Sequence, residues 1–306
     1  MILAVHIGNT NITVGAVRGK DIVFQARLRT DATKTSDEYA IDLKMLLAIN
    51  SVAASEIEGA IIASVVPQVL NQIKTGLKKL FGKPILVVGP GIKTGLNIRI
   101  DNPAQTGSDL VVGCVAAQRL QKPPLIVVGM GTATTMMVLD RNGALIGGSI
   151  SPGVRISMEA LTERAALLPG LQLDQPKRTI GRNTVECMRS GILNGAAAML
   201  DGMVARMEEE LGDKVAVIAT GRMAQYVVPL CKTPMHYDRD LIIKGLAILY
   251  AENTKPKPDL GGNQGQRTHK FRKAPGSAVP MISSSILSES LSPGAIACAR
   301  WFWRPR

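Results

Sequence analysis

The chain has 306 residues, of which 46% are hydrophobic and 20% charged, and its formal net charge is +12. This length supplies about two domains with buried cores, and the composition excludes a chain that is disordered throughout. No run of about 18 uninterrupted apolar residues occurs, so we expect no membrane span. The first residues, Met1 to Val5, carry no basic segment and no cleavage site, so we expect no signal peptide.

The cysteines favour a reducing compartment. All four lie far apart and none forms a CxxC pair; they are Cys114, Cys187, Cys231 and Cys298. This spacing is typical of free thiols and excludes a disulfide framework or a zinc site as the leading interpretation. We therefore predict a cytoplasmic protein.

Residues 2–28 predict an antiparallel meander. An apolar run over 2–7 ends in Gly8-Asn9-Thr10-Asn11, a second strand covers 12–17, and a third strand covers 22–28 after a turn. A helix over 35–49 and strands over 60–65 and 84–88, the first ended by Pro67, continue the pattern. Alternating strands and helices predict an α/β fold.

The meander recurs 123 residues later. An apolar run over 124–128 precedes a polar glycine turn over 129–134, and strands over 135–139 and 144–150 follow. The alignment sets Gly8 on Gly131, and the other aligned pairs are Val5 with Val128, His6 with Gly129, Asn9 with Thr132, Asn11 with Thr134, and Val14 with Met137. A unit repeated at this distance implies two related lobes, with the ligand site in the cleft between them.

The second half ends in helices and a basic tail. We predict a long helix over 183–211, broken near Gly191 or Gly195, a strand over 214–219 and a final helix over 240–250. Residues 255–306 contain nine Lys or Arg and two acids, a net +7, in a Pro-, Gly- and Ser-rich context. The predicted domains are therefore a lobe over 1–118, a lobe over 119–254 and a disordered tail over 255–306. A solvated tail is favoured over one that binds nucleic acid.

Each lobe offers one glycine-containing hairpin turn. Backbone N–H groups and hydroxyls in such turns cradle phosphate oxygens, and small residues let the backbone approach the anion. A matched pair in a duplicated chain favours a phosphate site over two ordinary turns. Asp109 follows the Thr106-Gly107 turn and opens an apolar helix over 110–117. It is either a general base or an acid that favours the helix N-terminus electrostatically.

A series of motifs carries a family resemblance. In chain order they are Ile7-Gly8-Asn9-Thr10-Asn11, Lys93-Thr94-Gly95-Leu96, Asp101-Asn102-Pro103, Gly107-Ser108-Asp109, Gly131-Thr132-Ala133-Thr134-Thr135, Gly147-Gly148-Ser149-Ile150-Ser151-Pro152-Gly153, Leu168-Pro169, Ile180-Gly181-Arg182-Asn183-Thr184, Ser190-Gly191 and Ala219-Thr220-Gly221. Over about residues 1–253 the chain resembles type III pantothenate kinase. That resemblance implies the duplicated ribonuclease H-like (actin-like ATPase) α/β fold shared by actin, sugar kinases and Hsp70.

The resemblance also implies the reaction and its participants. These are ATP-dependent phosphorylation of pantothenate to 4′-phosphopantothenate, the first step of coenzyme A biosynthesis, in a homodimer that uses Mg²⁺ and a monovalent cation, K⁺ or NH₄⁺. Asp109 would be the catalytic base. The implied ATP-binding residues are His6, Ile7, Gly8, Asn9, Thr10, Asn11, Ile12, Thr13 and Thr132. The implied pantothenate-binding residues are Ile100, Gly107, Ser108, Asp109, Leu110 and, from the partner subunit, Thr184.

The chain departs from the family at the chemistry. The family has an acid that holds Mg²⁺ where this chain has His6, and an acid at the monovalent-cation position where this chain has Gly129. Leu110 replaces an arginine, Ile100 replaces a tyrosine, and Arg222 replaces a glycine on the adenosine side. His6 as a new metal ligand is one interpretation, and a tolerated residue is the favoured one. Losing a metal-holding acid costs several kcal/mol, or about 10³-fold in rate.

The sequence is therefore compatible with three functions. The first is a type III pantothenate kinase with reduced activity. The second is a catalytically impaired paralogue that acts as a ligand-binding or transcriptional accessory protein. The third, suggested by Ile100 and Leu110, is a kinase for a different small hydroxylated acid.

Overall fold

The computed structural model describes residues 1–254, which contain two five-stranded mixed sheets. The first sheet has the order β3-β2-β1-β4-β5, with β1 Ile2–Ile7, β2 Asn11–Arg18, β3 Asp21–Arg29, β4 Gly59–Ser64 and β5 Ile85–Val87. The second has the order β8-β7-β6-β9-β10, with β6 Leu125–Met130, β7 Ala133–Leu139, β8 Leu145–Pro152, β9 Ala216–Thr220 and β10 His236–Tyr237. The two orders are equivalent, which confirms the predicted duplication. The predicted tail, 255–306, lies outside the described residues.

The described region contains seven α-helices, of which the last follows the final strand. They are α1 Ser36–Ile49, α2 Pro67–Phe81, α3 Ser108–Leu120, α4 Val154–Arg164, α5 Thr184–Leu211, α6 Ala224–Val227 and α7 Leu241–Thr254. A capping box starts α1, because the Glu38 N–H donates to Thr35 Oγ1 and the Thr35 N–H donates to Glu38 Oε2. Pro67 does not merely end β4 as predicted; it begins α2, where a proline sacrifices no helical hydrogen bond.

The two sheets share a central layer formed by α3 and α7. Apolar residues of both helices pack with residues from both sheets in one buried cluster. Each sheet covers its other face separately, with α1 and α2 on the first sheet and with α5 and α6 on the second. A Cβ at Gly245 of α7 would lie 2.4 Å from the Val112 carbonyl oxygen of α3. Only glycine lets the two helices approach this closely, so the lobes are joined through their central helices.

The register of the repeat differs from the prediction by one residue after the turn. Gly129 and Met130 belong to β6 and Ala133 begins β7, so the second turn is shorter than the predicted 129–134. Because His6 pairs with Thr13 and Gly129 pairs with Thr135, Thr10 rather than Asn9 is equivalent to Thr132. The same shift makes Asn11 equivalent to Ala133, and Val14 equivalent to Met136. The pairing of the second strand with the third is irregular at the corresponding place in both lobes, after Ala16 and after Val138, where the third strand has one extra residue.

The predicted break in the long helix is wrong. Helix α5 runs for 28 residues through Gly191 and Gly195, although each glycine costs about 1 kcal/mol relative to alanine. Buried side chains including Leu193, Ala197 and Leu200 anchor it in the outer core of the second lobe. Tertiary packing therefore outweighs the local preference. Helices α2 and α4 were not predicted.

Candidate functional site

A cleft of about 650 Å³ lies between the lobes and is lined by residues of both. The carboxyl ends of the parallel strands β1 and β4, and of β6 and β9, meet at this cleft together with the start of α3. Ligands of open α/β sheets bind at such ends, because the connections leave a crevice there. The cleft is therefore the candidate active site.

The two hairpin turns face each other across the cleft. In the first turn the Gly8 N–H donates to the Asn11 carbonyl over 3.0 Å, and in the second the Gly131 N–H donates to the Ala133 carbonyl over 3.0 Å. The Thr10 and Thr132 hydroxyl oxygens lie 3.0 Å apart and share a hydrogen bond. The equivalent threonines of the two lobes are thus in contact, which brings both predicted phosphate-binding turns to one place.

The third strand of each meander supports its turn. The Thr30 N–H donates to the Thr10 carbonyl over 3.1 Å, and the Gly153 N–H donates to the Thr132 carbonyl over 3.1 Å. A Cβ at Gly153 would lie 2.3 Å from that same Thr132 oxygen, so a larger residue would displace the turn. Helix α4 begins at the next residue, Val154. Its N-terminal dipole therefore adds positive potential beside the second turn.

Asp109 enters the cleft from the first turn of α3. The Ser108 hydroxyl accepts the Ser64 N–H over 3.0 Å and donates to the Ser64 carbonyl over 3.1 Å, which fixes the start of α3 to the end of β4. The Asp109 Oδ1 atom accepts the Leu110 N–H over 3.0 Å, and its Oδ2 atom lies 3.7 Å from His6 Nε2. The structure therefore brings Asp109 and the altered residue His6 together.

The His6–Asp109 contact is electrostatic, because 3.7 Å is longer than a hydrogen bond. The His6 Nε2 atom is buried and has no hydrogen-bond partner among the described residues. Burial raises the pKa of the Asp109 carboxyl, but His6 and the Leu110 N–H lower it by more, so its pKa lies below its ordinary value. Asp109 is therefore ionised near neutral pH, as a general base requires.

Neighbouring strands present equivalent rows of side chains to the cleft. In the first lobe His6 pairs with Thr13, and Thr13 pairs with Arg27. In the second lobe Gly129 pairs with Thr135, and Thr135 pairs with Ile150. Directly paired residues share a face of the sheet. The two rows are built on the same register, but the first carries an imidazole and a guanidinium where the second carries no charge.

The predicted nucleotide residues divide between cleft and core. The cleft is lined by His6, Gly8, Asn9, Thr10, Asn11, Thr13 and Thr132. Ile7 and Ile12 pair with each other, and their side chains are fully buried in the core of the first lobe. Any contact that these two make with a ligand is therefore through the backbone.

The predicted substrate residues divide in the same way. Gly107, Asp109 and Leu110 line the cleft, whereas the Ser108 hydroxyl is engaged with Ser64. Ile100 packs against the central core and does not line the cleft. Thr184 is exposed at the start of α5 and does not line the cleft of its own chain. Its role in the partner subunit's site stays a prediction.

Sequence reasoning missed several charged residues of the cleft. They are Arg27, Arg155, Glu159 and Arg239. Arg155 and Glu159 lie on α4, which no sequence signal announced, and Arg239 precedes α7. Arg27 could have been predicted from the strand register, because it pairs with Thr13 and so extends the row that begins at His6.

The residues present fit a metal ion only in part. No cluster of three or more His, Cys, Asp or Glu suited to a metal occurs among residues 1–254. Asp109 and Glu159 are the carboxylates that line the cleft, and Mg²⁺ is often held by one or two carboxylates together with substrate phosphates. Gly129 offers no side chain for a monovalent cation, and a Cβ there would lie 2.7 Å from Thr135 Oγ1. The side chain expected at the monovalent-cation position is therefore missing.

Comparison with known proteins supports the sequence resemblance. The family model described as type III pantothenate kinase matches residues 2–206. The type III pantothenate kinase of Exiguobacterium sp. (strain AT1b) is 42% identical over 255 residues, which is 83% of this chain and all of that relative. These two matches cover most of the described region.

Two solved structures share the fold. One is the activator of the 2-hydroxyisocaproyl-CoA dehydratase from Clostridium difficile with bound ADPNP, at a TM-score of 0.52, 13% identity, and coverage of 82% of this chain and 94% of that one. The other is MreB 5 of Spiroplasma citri bound to AMPPNP, at a TM-score of 0.50, 10% identity, and coverage of 83% and 97%. They confirm the predicted actin-like fold. Within residues 1–254, no helix has the length and apolar character that a bilayer span needs.

Proposed function

The chain belongs to the type III pantothenate kinase family, and from this membership we propose that it phosphorylates pantothenate with ATP as the first step of coenzyme A biosynthesis. The observation that carries the proposal is the position of Asp109, an ionised carboxylate in the same cleft as the two glycine turns. Transfer of a phosphoryl group to an alcohol needs at least a base beside a phosphate-binding site.

The nucleotide phosphates would lie against the two turns. The backbone N–H groups and the Thr10 and Thr132 hydroxyls supply hydrogen-bond donors from both lobes, and the α4 N-terminus adds positive potential. Mg²⁺ bound to ATP would neutralise charge on the phosphates, and Asp109 and Glu159 are the carboxylates that line the cleft. With His6 and Gly129 in place of acids, most of its remaining ligands would be phosphate oxygens and water.

Asp109 would accept the proton of the pantothenate hydroxyl. The hydroxyl oxygen then forms a bond to the γ-phosphorus, the bond from that phosphorus to the β,γ-bridging oxygen breaks, and ADP leaves with the electron pair. Gly107 and Leu110 flank Asp109 in the cleft and would contact the substrate on either side. Leu110 offers no charge to the pantothenate carboxylate, so we expect pantothenate to bind more weakly than it would with an arginine at this position.

A homodimer would complete the substrate site. Thr184 begins α5 on an exposed surface away from the cleft of its own chain, so any role in substrate binding requires a partner subunit. A cytoplasmic location and stimulation by K⁺ or NH₄⁺ are part of the same proposal. The lost side chain at Gly129 predicts that the monovalent cation stimulates this chain weakly.

The experiment is the production of 4′-phosphopantothenate by the purified full-length protein with Mg·ATP and pantothenate, with and without K⁺ or NH₄⁺. We expect the wild type to phosphorylate pantothenate and not other small hydroxylated acids. Pantothenate binding without any turnover would instead favour a ligand-binding or accessory protein. Turnover that appears only after His6→Asp combined with Gly129→Asp would identify a kinase that has lost its activity.

A further inference from the structure

Three arginines from both lobes line a second cavity beside the cleft. This cavity is about 390 Å³ and includes Arg27, Arg222 and Arg239 together with Gln25 and Tyr237. Arg27 lies on β3 of the first sheet, Arg222 follows β9, and Arg239 lies between β10 and α7 of the second lobe. The three arginines also line the main cleft, so the two spaces adjoin. We call these three residues the arginine cluster.

Within residues 1–254, no arginine of the cluster forms an ion pair with a carboxylate. Among residues 1–254, the arginines that form ion pairs with carboxylates are Arg18, Arg119, Arg141, Arg178 and Arg189, and none of them belongs to the cluster. The neighbouring acid Asp238 is buried and bound to Lys244 Nζ over 2.7 Å. Its other oxygen accepts the Asp240 N–H over 2.9 Å, so Asp238 has little capacity left for the cluster.

The three positive charges repel one another. Burial lowers the pKa of the Arg27 guanidinium, and the charges of Arg222 and Arg239 lower it further. The carboxylate of Asp240 raises this pKa without reversing the effect. Unpaired like charges held together at the edge of a cleft destabilise the free protein and are relieved by an anion.

We propose that the arginine cluster is a binding subsite for a phosphate-class anion. Planar guanidinium groups bind phosphate through paired, charge-assisted hydrogen bonds, and Tyr237 and Gln25 line the same cavity with further polar groups. An anion held there contacts both lobes at once, because Arg27 comes from the first and the other two arginines from the second. The bound anion would therefore hold the lobes together at the cleft.

The subsite also supplies fixed positive charge where this chain lacks metal-holding acids. Arg27 belongs to the same side-chain row as His6, so the cluster borders the altered part of the site. The anion is either a phosphoryl group of the nucleotide, which rests on the proposed function, or a separate phosphate-bearing small molecule. Both sources share the chemistry, and binding in the absence of divalent metal is expected for either.

The test is a calorimetric titration of the full-length protein with inorganic pyrophosphate, with EDTA present to remove divalent metal. Each charge-assisted hydrogen bond lost from a phosphate weakens binding by about tenfold or more. The double variant Arg222→Gln with Arg239→Gln is therefore expected to bind pyrophosphate about 100-fold more weakly than the wild type. Arg18→Gln is the matched control, because Arg18 lies at the far end of β2 and pairs with Glu56; it is expected to bind within about twofold of wild type.

Repeating the titration with a saturating non-hydrolysable ATP analogue distinguishes the two sources. Loss of pyrophosphate binding identifies a nucleotide phosphoryl group, and retained binding identifies a separate ligand; both support the subsite. The double variant is expected to unfold at the same or a higher temperature, since like charges are removed. Pyrophosphate that fails to bind the wild type at millimolar concentration, or that binds the double variant equally, overturns the proposal. No pantothenate is present, so failure of the kinase reaction is a separate result.

Discussion

Replacing His6 with glutamine removes the imidazole that faces the Asp109 carboxylate. A protonated imidazole attracts this carboxylate across 3.7 Å, and the pKa of Asp109 lies below its ordinary value because His6 and the Leu110 N–H outweigh the opposing effect of burial. Glutamine keeps a polar side chain in this place but carries no charge. The carboxyl of the variant will therefore hold its proton to a higher pH than that of the wild type.

The size of the effect follows from the distance and the exposure of the two groups. Unit charges about 4 Å apart interact by about 4 kcal/mol at an effective dielectric constant of about 20. The His6 side chain is 20% exposed and the Asp109 side chain 29%, so solvent screens their attraction. We therefore expect the pair to interact by about a third of this energy. That is roughly tenfold in the proton affinity of the carboxyl.

The assay is kcat/KM for pantothenate against pH, followed by ADP release in a coupled reaction. The acid limb of the His6→Gln profile is expected to move to higher pH, with a rate about tenfold below wild type on that limb and a smaller difference on the alkaline side. His236→Gln is the control, because His236 is exposed on β10 and does not line the cleft. An acid limb that does not move in His6→Gln, or that moves equally in the control, would show that His6 does not lower the pKa of Asp109.

Three further predictions concern the base, the second turn and the thiols. Asp109→Asn is expected to lower kcat by about 10² to 10⁴ while nucleotide affinity, measured by calorimetry, stays within severalfold. Gly153→Ala places a Cβ 2.3 Å from the Thr132 carbonyl, so it is expected to cost about 1–3 kcal/mol in urea unfolding and to raise the KM for ATP. Gly170→Ala, where a Cβ has open space, should leave both unchanged. Burial raises the pKa of the Cys114 thiol to about 12, so alkylation at pH 8 is expected to label it only after unfolding.

Local patterns predicted the architecture because each lobe repeats one meander with clear turns. Gly8 and Gly131 each follow a buried apolar run, and hairpins need small residues at such points. The one-residue error in the repeat arose because the second turn is shorter, and pairing partners rather than sequence distance determine equivalence. Only the register, with Thr13 opposite His6 and Thr135 opposite Gly129, resolves it.

The charged environment of the cleft was harder to predict than its turns. His6 and Asp109 are far apart in sequence, and their 3.7 Å contact depends on Ser108 fixing α3 to β4. The arginine cluster combines one strand and two connections, so no local pattern contains it. Side chains that meet only through tertiary structure leave no periodic signal in the sequence.

We propose that this cleft transfers a phosphoryl group from ATP to pantothenate with Asp109 as the base. A single-turnover reaction of the full-length protein with γ-labelled ATP, pantothenate and Mg²⁺, followed by mass spectrometry of the product, tests it most directly. We expect labelled 4′-phosphopantothenate from the wild type and at least about 100-fold slower formation by Asp109→Asn. Equal rates for the two proteins, or label released only as inorganic phosphate, would contradict it.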